Sequence, residues 1–573
     1  MTKSLLLLVF FLSTILASAQ TEVRGKLVDA STSAPLAYGA VKIKGTSKGV
    51  LTNEDGAFLI KCSPSDTLEF KYLSYKTQFI PVSRFVKDPV CRLRAKENQL
   101  TTVVVSAEED FLYDLVDKSR KKLKKLKEYS SKTYFLLETQ SSGRPVEQIE
   151  CYYNADLAGS GLKEMGLKNG RIGMAKFEDD YFVSLNTTDI LCDYNLLNEK
   201  GNDLPGNPLQ MSKREMMKKY DFVLVGLDGS RYKIKFTAQD KRNNFDGSLW
   251  LDADENRILS IQLSSADLKR YPFVPLHKTH RIEKIDFDLT YTFESSSQKM
   301  SRIDLKYQLD YNNSKEVRPV QTEVVSLFYD YKDLFKLPFY KDGSLLSDYD
   351  KIVTRPHNEL FWKYNEVLLP SERVSRNRKF FEENGVLLNF DELSTYYERF
   401  SNRKIPWSTD RLFRDEINDY VSETHSVGFY SPRVRVKTSY DHRPASWFDL
   451  LGQIFLDVNQ FGDSLHFTSS TMLDLDVSYY GQTPHRYTNY FINSYFDLME
   501  VARLRLEERL EKRDWDMESI DAIYTETVKQ LDRDLLKLHK DMLKWEKDSD
   551  LQSYTNLIYA NLGIDNSLLI VPK

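Results

Sequence analysis

From Thr133 to about Tyr331 the chain repeats a two-residue hydrophobic period, and that period dictates sheet. Tyr232, Ile234, Phe236 and Ala238 alternate with Lys233, Lys235 and Thr237. Ile285, Phe287, Leu289, Tyr291 and Phe293 alternate with Asp286, Asp288, Thr290 and Thr292, and Ile303, Leu305, Tyr307, Leu309 and Tyr311 repeat the pattern. Successive side chains of a strand point to opposite faces, so each run has one apolar and one polar side. Such strands assemble into antiparallel sheets wetted on one face. A single curved sheet cannot bury its apolar face on itself, so that face needs a cover.

The sequence offers a cover just upstream. Ser106 with Glu109 makes a capping-box start, and Leu112, Leu115, Val116, Ser119, Leu123 and Leu126 share one face of a helix over 109–127. Its other face is basic, from Lys118 to Lys127, which also suits peripheral contact with a membrane surface. Six residues make a narrow stripe for a wide sheet. The expectation is therefore a residual concave pocket lined by Phe236, Trp250, Phe287, Tyr291, Leu305 and Leu309. It would hold an apolar or lipid-like ligand by burial at about 25 cal/mol per Å².

At 573 residues the chain is too long for one core and should form roughly three to five units. Residues 1–19 read as a signal peptide: Lys3, an apolar run from Leu5 to Leu16, then Ala17-Ser18-Ala19, leaving Gln20 as the mature N-terminus. That makes the protein an exported one, of the periplasm or outer-membrane periphery. Lys and Arg number 80 against 84 Asp and Glu, so no global field attracts nucleic acid. Cys62, Cys91, Cys151 and Cys192 would enter an oxidising compartment, where the local pairing is Cys62–Cys91 with Cys151–Cys192, against four buried thiols.

Residues 20–106 carry Val23-x-Gly25-x-x-Val28-Asp29, Pro35-Leu36, Ala40-Val41, Gly45-Thr46, Gly49, Thr52-Asn53-x-Asp55-Gly56-x-Phe58 and a closing Leu100–Ser106. This series of short strands and Asn/Asp-Gly turns resembles the carboxypeptidase-like regulatory domain found before TonB-dependent receptors and in other Gram-negative envelope proteins. The resemblance implies a Greek-key β-sandwich and an envelope address, not an activity. Within 107–335, Phe245-x-Gly247-x-Leu249-Trp250-Leu251-Asp252 followed by Ile258 is similar to the strand–turn–strand element of lipoprotein-carrier-like half-barrels. That similarity implies a half-barrel sheet and an acyl chain or apolar segment as ligand.

Residues 336–485 read as a mixed α/β region. Residues 486–573 read as a helical hairpin and tail, with Phe496, Met499, Ala502, Leu506 and Leu510 on one helix and Tyr524, Val528, Leu531, Leu535, Leu538, Met542 and Trp545 on the next. The second stripe either packs back on the first helix or, through 517–547, on another chain. The fold class expected is thus multidomain, β-rich and then α.

Sites for chemistry fare poorly. His280-Arg281-Ile282-Glu283 has the H-x-x-E form of a zinc carboxypeptidase, with His425 and His442 downstream, but Glu283 begins an alternating strand rather than a rigid ligand frame. Asp252-x-Asp254-x-Asn256 opens like a calcium loop, but Arg257 replaces the required Gly and Leu263 the bidentate Glu, so a hairpin turn is expected. No H-E-x-x-H, P-loop or G-x-G-x-x-G occurs. No catalytic residue, metal ligand or cofactor is assigned. The reading is a non-enzymatic envelope protein that binds a ligand or partner through its sheet domain. The alternative is an envelope hydrolase built on His357, Glu359, His425, Asp441, His442 and Trp447 in residues 340–480.

Overall fold

The computed structural model describes residues 21–572 apart from 47, 73–74, 96–109, 178–179, 182–185, 199–201, 274, 276–278, 340–351, 353–354, 391–403, 418–447, 462–463, 482 and 513–515. The expected signal peptide, the expected closing strand 100–106 and the expected Ser106/Glu109 capping box lie outside the described residues. What is described is β-rich and then helical, as the alternation and the heptad stripe require.

The N-terminal unit comprises β1 (Thr21–Asp29), β2 (Ala40–Ile43), β3 (Gly49–Leu51), β4 (Ala57–Cys62), β5 (Thr67–Lys71), β6 (Gln78–Pro81), the short helix α1 (Val82–Phe85) and β7 (Val90–Leu93). Two sheets, ordered β4-β1-β7 and β3-β2-β5-β6, enclose one core. Phe58, Phe70 and Phe85 meet at its centre with ring centroids 5.3–5.8 Å apart. Gly56 sits at φ +71, and a Cβ there would lie 2.5 Å from the Leu27 carbonyl, so the Asn53–Gly56 turn requires glycine. The expected disulfides are not formed. Cys62 pairs with Thr21 and Cys91 with Leu27 on opposite flanks of β1, two strand spacings and six residues apart, beyond the reach of a disulfide.

The period-two region folds into one twelve-stranded sheet. Its members are β8 (Tyr129–Ser141), β9 (Arg144–Ala158), β10 (Gly161–Phe177), β11 (Asp180–Tyr181), β12 (Tyr220–Asp228), β13 (Arg231–Ala238), β14 (Asp246–Asp252), β15 (Arg257–Ser265), β16 (Arg281–Phe293), β17 (Met300–Asn312), β18 (Val317–Asp330) and β19 (Gly385–Leu388). The order is β11-β10-β9-β8-β18-β17-β16-β15-β14-β13-β12, with β19 also on β10. The long return that sets β18 beside β8 leaves β12 as an edge, and the sheet does not close into a barrel. Asp252 to Arg257 form the β14–β15 turn, with Asn256 at φ +48 and Asp252 accepting from the Glu255 amide, so the calcium-like spacing is a hairpin.

The inner face is covered by the chain itself. Helix α2 (Asp110–Lys124) buries Leu115, Val116, Ser119 and Leu123, and Tyr113 stacks on Phe222 at 4.5 Å. Beside it lies the segment between β11 and β12, with α3 (Asn186–Asp193) and α4 (Lys213–Lys219), which buries Leu191, Tyr194, Leu196, Leu209 and Met216 in the same core. The helix was therefore only half of the cover.

The remaining units are α5 (Glu359–Tyr364) and α6 (Glu372–Asn384), then β20 (Lys404–Pro406), β21 (Phe448–Phe461), β22 (Ser464–Tyr480), α7 (Thr488–Glu511), α8 (Met517–Met542) and α9 (Gln552–Leu562). Helices α7 and α8 form the expected hairpin, closed by Arg509–Glu526 at 2.7 Å. Its core also takes in β20–β22 and α9. The stripe of α8 is Ile520, Ile523, Thr527, Leu531, Leu535, Leu538 and Met542, and it packs within the chain. Tyr524 leans aside, donating to the Ile454 carbonyl at 2.7 Å.

One buried ion pair ties this unit to the large sheet. Lys168 of β10 meets Asp457 of β21, both almost fully buried, and its ammonium also donates to the carbonyls of Lys336 (2.8 Å) and Val458 (3.0 Å). Burial holds Lys168 below its ordinary value although Asp457 opposes the shift. Asp457→Ala strands that cation and is expected to cost about 3–5 kcal/mol in a urea titration. The double variant Lys168→Met/Asp457→Leu should be more stable than the single one, because no bare charge remains.

Candidate functional site

The outer face of the sheet, opposite α2, carries two adjacent polar rows. Strand registers set Ser264, Asp288, Lys306, Glu323, Glu138 and Gln148 side by side across β15, β16, β17, β18, β8 and β9. The next row runs Gln262, Thr290, Asp304, Val325, Leu136, Glu150 and Arg171. Over β16 and β17 these rows carry half-exposed or exposed groups; over β8 and β9 they are buried. Glu323 stands directly opposite Glu138, an arrangement that repels unless a cation spans it.

Helix α6 supplies that cation. Arg373 reaches Glu323 at 2.8 Å, Glu138 at 2.7 Å and Glu54 of the N-terminal unit at 2.5 Å. One turn on, Asn377 donates to Glu138 at 2.8 Å and Arg378 to Glu150 at 2.6 Å. Arg171 takes the other oxygen of Glu150, and its guanidinium lies over the Trp362 ring at 4.0 Å. Burial alone would raise the Glu150 carboxyl, but Arg171 and Arg378 hold it below its ordinary value. Glu138, with a single shared arginine, is pushed up by burial to about 7.

The same turn that carries the N-terminal motif does the docking. Asn53 donates to the Pro370 carbonyl at 3.3 Å, Asp55 accepts from the Glu372 amide at 2.8 Å, and Ser371 caps α6 through the Val374 amide. Asp55 and Ser371 thus satisfy amides at the helix N-terminus that have no partner in the helix. An apolar layer of Tyr134, Leu136, Tyr152, Leu327, Phe361 and Val374 lies beneath, with Tyr38 of the N-terminal unit at its edge. Tyr152 donates to the Asn365 carbonyl at 2.5 Å.

Where the three units meet they leave a cavity of about 180 Å³, half open to solvent. Tyr38 and Glu54 come from the N-terminal unit, Tyr134, Glu150, Tyr152 and Arg171 from the sheet, and Trp362, Glu366 and Arg378 from the segment between β18 and β19. Arg378 Nε and Trp362 Nε1 are buried without an acceptor. The lining mixes the aromatic rings of Tyr38, Tyr134, Tyr152 and Trp362 with balanced charge, Glu54, Glu150 and Glu366 against Arg171, Lys363 and Arg378.

The residues expected to line an inner pocket lie elsewhere. Phe236, Phe287, Tyr291, Leu305 and Leu309 are together, all at most 3% exposed, in the core beneath α2 and the 186–219 segment. Trp250 is a correction: Leu249 and Leu251 point inward, so the strand period turns Trp250 outward, where Lys233 sits 5.6 Å from its ring. Of the hydrolase candidates, His357 contacts the Asn389 carbonyl at 3.0 Å and Glu359 is exposed in the first turn of α5. His425, Asp441, His442 and Trp447 lie outside the described residues. His280 is spent on the Tyr311 hydroxyl (2.8 Å) and Glu283 on Asn312 (2.5 Å). Among the described residues no three His, Cys, Asp or Glu side chains converge as metal ligands.

Residues 23–105, which include most of the N-terminal sandwich, match the model of the CarboxypepD_reg-like domain. The chain matches no curated protein. Among solved structures, a DUF1329 family protein from Desulfovibrio piger is 10% identical, over 39% of this chain and 93% of that one, at a TM-score of 0.13. That likeness is too slight to support a conclusion. No helix among the described residues is long and apolar enough to cross a membrane.

Glu138 gives the junction a pH signature. An unfolded glutamate loses its proton near 4.5 and the folded Glu138 near 7, so in between the folded chain holds a proton the unfolded chain lacks. Its contribution is full below pH 4.5 and is lost as pH rises through 7. Chemical denaturation from pH 4.5 to 8 should show Glu138→Gln gaining on the wild type with rising pH, by up to about 3 kcal/mol.

Proposed function

We propose that this protein is a non-enzymatic exported component of the bacterial cell envelope, at the periplasm or outer-membrane periphery, that binds a ligand or partner through its sheet domain. The export signal and the regulatory domain, a type typical of envelope proteins, support the address. The observation that carries the reading is the junction cavity, which no single unit forms alone. Three parts of the chain are locked by buried charge around a space left unfilled, with the rings of Tyr134, Tyr152 and Trp362 in its lining. Protein interiors are close-packed, and a pocket lined by aromatic and polar side chains is where a ligand is looked for.

The reading places the ligand on the outer face. The inner face, for which the half-barrel resemblance implies an acyl chain, is lined by residues already held in the main core. The function is then recognition, with the regulatory domain as one wall of the site.

Native mass spectrometry of the full chain, purified without denaturant from its own host, tests this. A bound species should accompany the wild type and be lost from Trp362→Ala, while both fold to the same extent. No bound species in the wild type, or equal retention by the variant, would sink the proposal.

A further inference from the structure

We infer that the free edge of the large sheet, β12, is a self-association surface, on which a second copy of this chain pairs its own β12 antiparallel about a twofold axis. Strand β12 (Tyr220–Asp228) closes the end of the sheet order away from β8 and β9, so this surface is separate from the junction cavity. It pairs with β13 on one side, and no described strand lies on the other. Such an edge presents a row of backbone donors and acceptors to any other strand, and proteins normally blunt it by shortening the strand or by placing charge or proline in it. The same sheet does so at its other end, where the described strand β11 has two residues. Strand β12 has nine, and Phe222 to Leu227 contain neither charge nor proline. The bulge at Val225 bends the strand, and the Tyr113 hydroxyl takes the Tyr220 carbonyl at 2.8 Å, so the edge open to pairing begins at Phe222.

The strand is its own complement. Val223 and Val225 are 56% and 43% exposed on the outer face, while Phe222 and Leu224 pack toward the main core. Antiparallel pairing about Leu224 sets Val223 of each copy opposite Val225 of the other. Residues directly opposite share a face, so one contact covers all four valines. The ends of the strand carry opposite charge: Lys218 and Lys219 precede it and Asp228 ends it, while Asp221 is engaged by Gln239 at 2.5 Å. Antiparallel pairing brings Lys219 of one copy within one residue of Asp228 of the other, at both ends; parallel pairing would set like beside like. A twofold contact uses the same patch on both chains, so it closes at a dimer and leaves no edge for further growth. Pairing over Phe222–Gly226 buries less than the roughly 1,200 Å² of a standard interface, so the association is weak and reversible.

Sedimentation velocity of the full chain from low to high micromolar concentration tests the pairing. The wild type should shift from one chain toward two, and hydrogen exchange over Phe222–Gly226 should slow as it does. Val223→Glu/Val225→Glu sets its new carboxylates beside Lys235 and Lys233 of the same chain, which keeps the fold, but faces glutamate with glutamate across the twofold axis. Its dissociation constant should rise by about tenfold or more. Val223→Lys/Val225→Lys should pair as poorly alone, and an equimolar mixture of the two variants should recover a dimer. A wild type that stays monomeric throughout would overturn the inference, as would a glutamate variant that dimerises like the wild type. Charge variants that remain apart when mixed would leave β12 to a different partner and overturn self-pairing.

Discussion

Two glutamates facing each other on adjacent strands set the terms for the rest of this structure. Glu138 and Glu323 occupy paired positions of β8 and β18, and Glu150 lies two residues further along on β9. Left bare, they would repel and stay hydrated. Buried, they require cations, and Arg373 and Arg378, five residues apart on α6, bring them. The helix must therefore lie on that patch of the sheet in one orientation. Because Arg373 also holds Glu54, the regulatory domain is fixed by the same contact. Ion pairs of this kind add little net stability over an apolar core, but they select one arrangement, because any other leaves a buried charge unpaired.

The consequence is a sheet with two unlike faces. The inner face is sealed by α2 and the 186–219 segment and acts as the main core. The outer face is divided: exposed and polar toward β15–β17, roofed by α5, α6 and the regulatory domain over β8 and β9. The cavity lies within that roofed half, against the paired charges. A site there would take its walls from three parts of the chain that are already in contact, which lowers the ordering cost of binding.

Much of this architecture was legible in the residues. The alternation over 281–293 and 300–312 gives β16 and β17, the Asn/Asp-Gly turns give the sandwich, and the heptad-like steps give α8. Burial of the inward set followed from phase alone, except at Trp250, whose size suggested a core residue while its position between Leu249 and Leu251 turned it outward. The junction was not read, although a signal was present. Tyr134, Phe135, Leu136 and Leu137 are apolar at consecutive positions, so β8 has two buried faces and something must roof the second. The Arg373 and Arg378 spacing means little until the register places Glu138, Glu150 and Glu323 beneath it, and the register of β8 on β18 joins residues about 180–200 positions apart. The local cysteine pairing failed for the same reason: nearness in sequence says little about which flank of β1 a strand will occupy.

If the arginine lock fixes both the roof and the regulatory domain, then its loss must loosen them together. Hydrogen–deuterium exchange of the full chain, wild type against Arg373→Ala, measures this most directly. Exchange should rise jointly at the Asn53–Gly56 turn, in α6 and along the Glu138 side of β8, while β13–β16 stay protected. A rise confined to α6, with the 53–56 turn and β8 unchanged, would contradict the account.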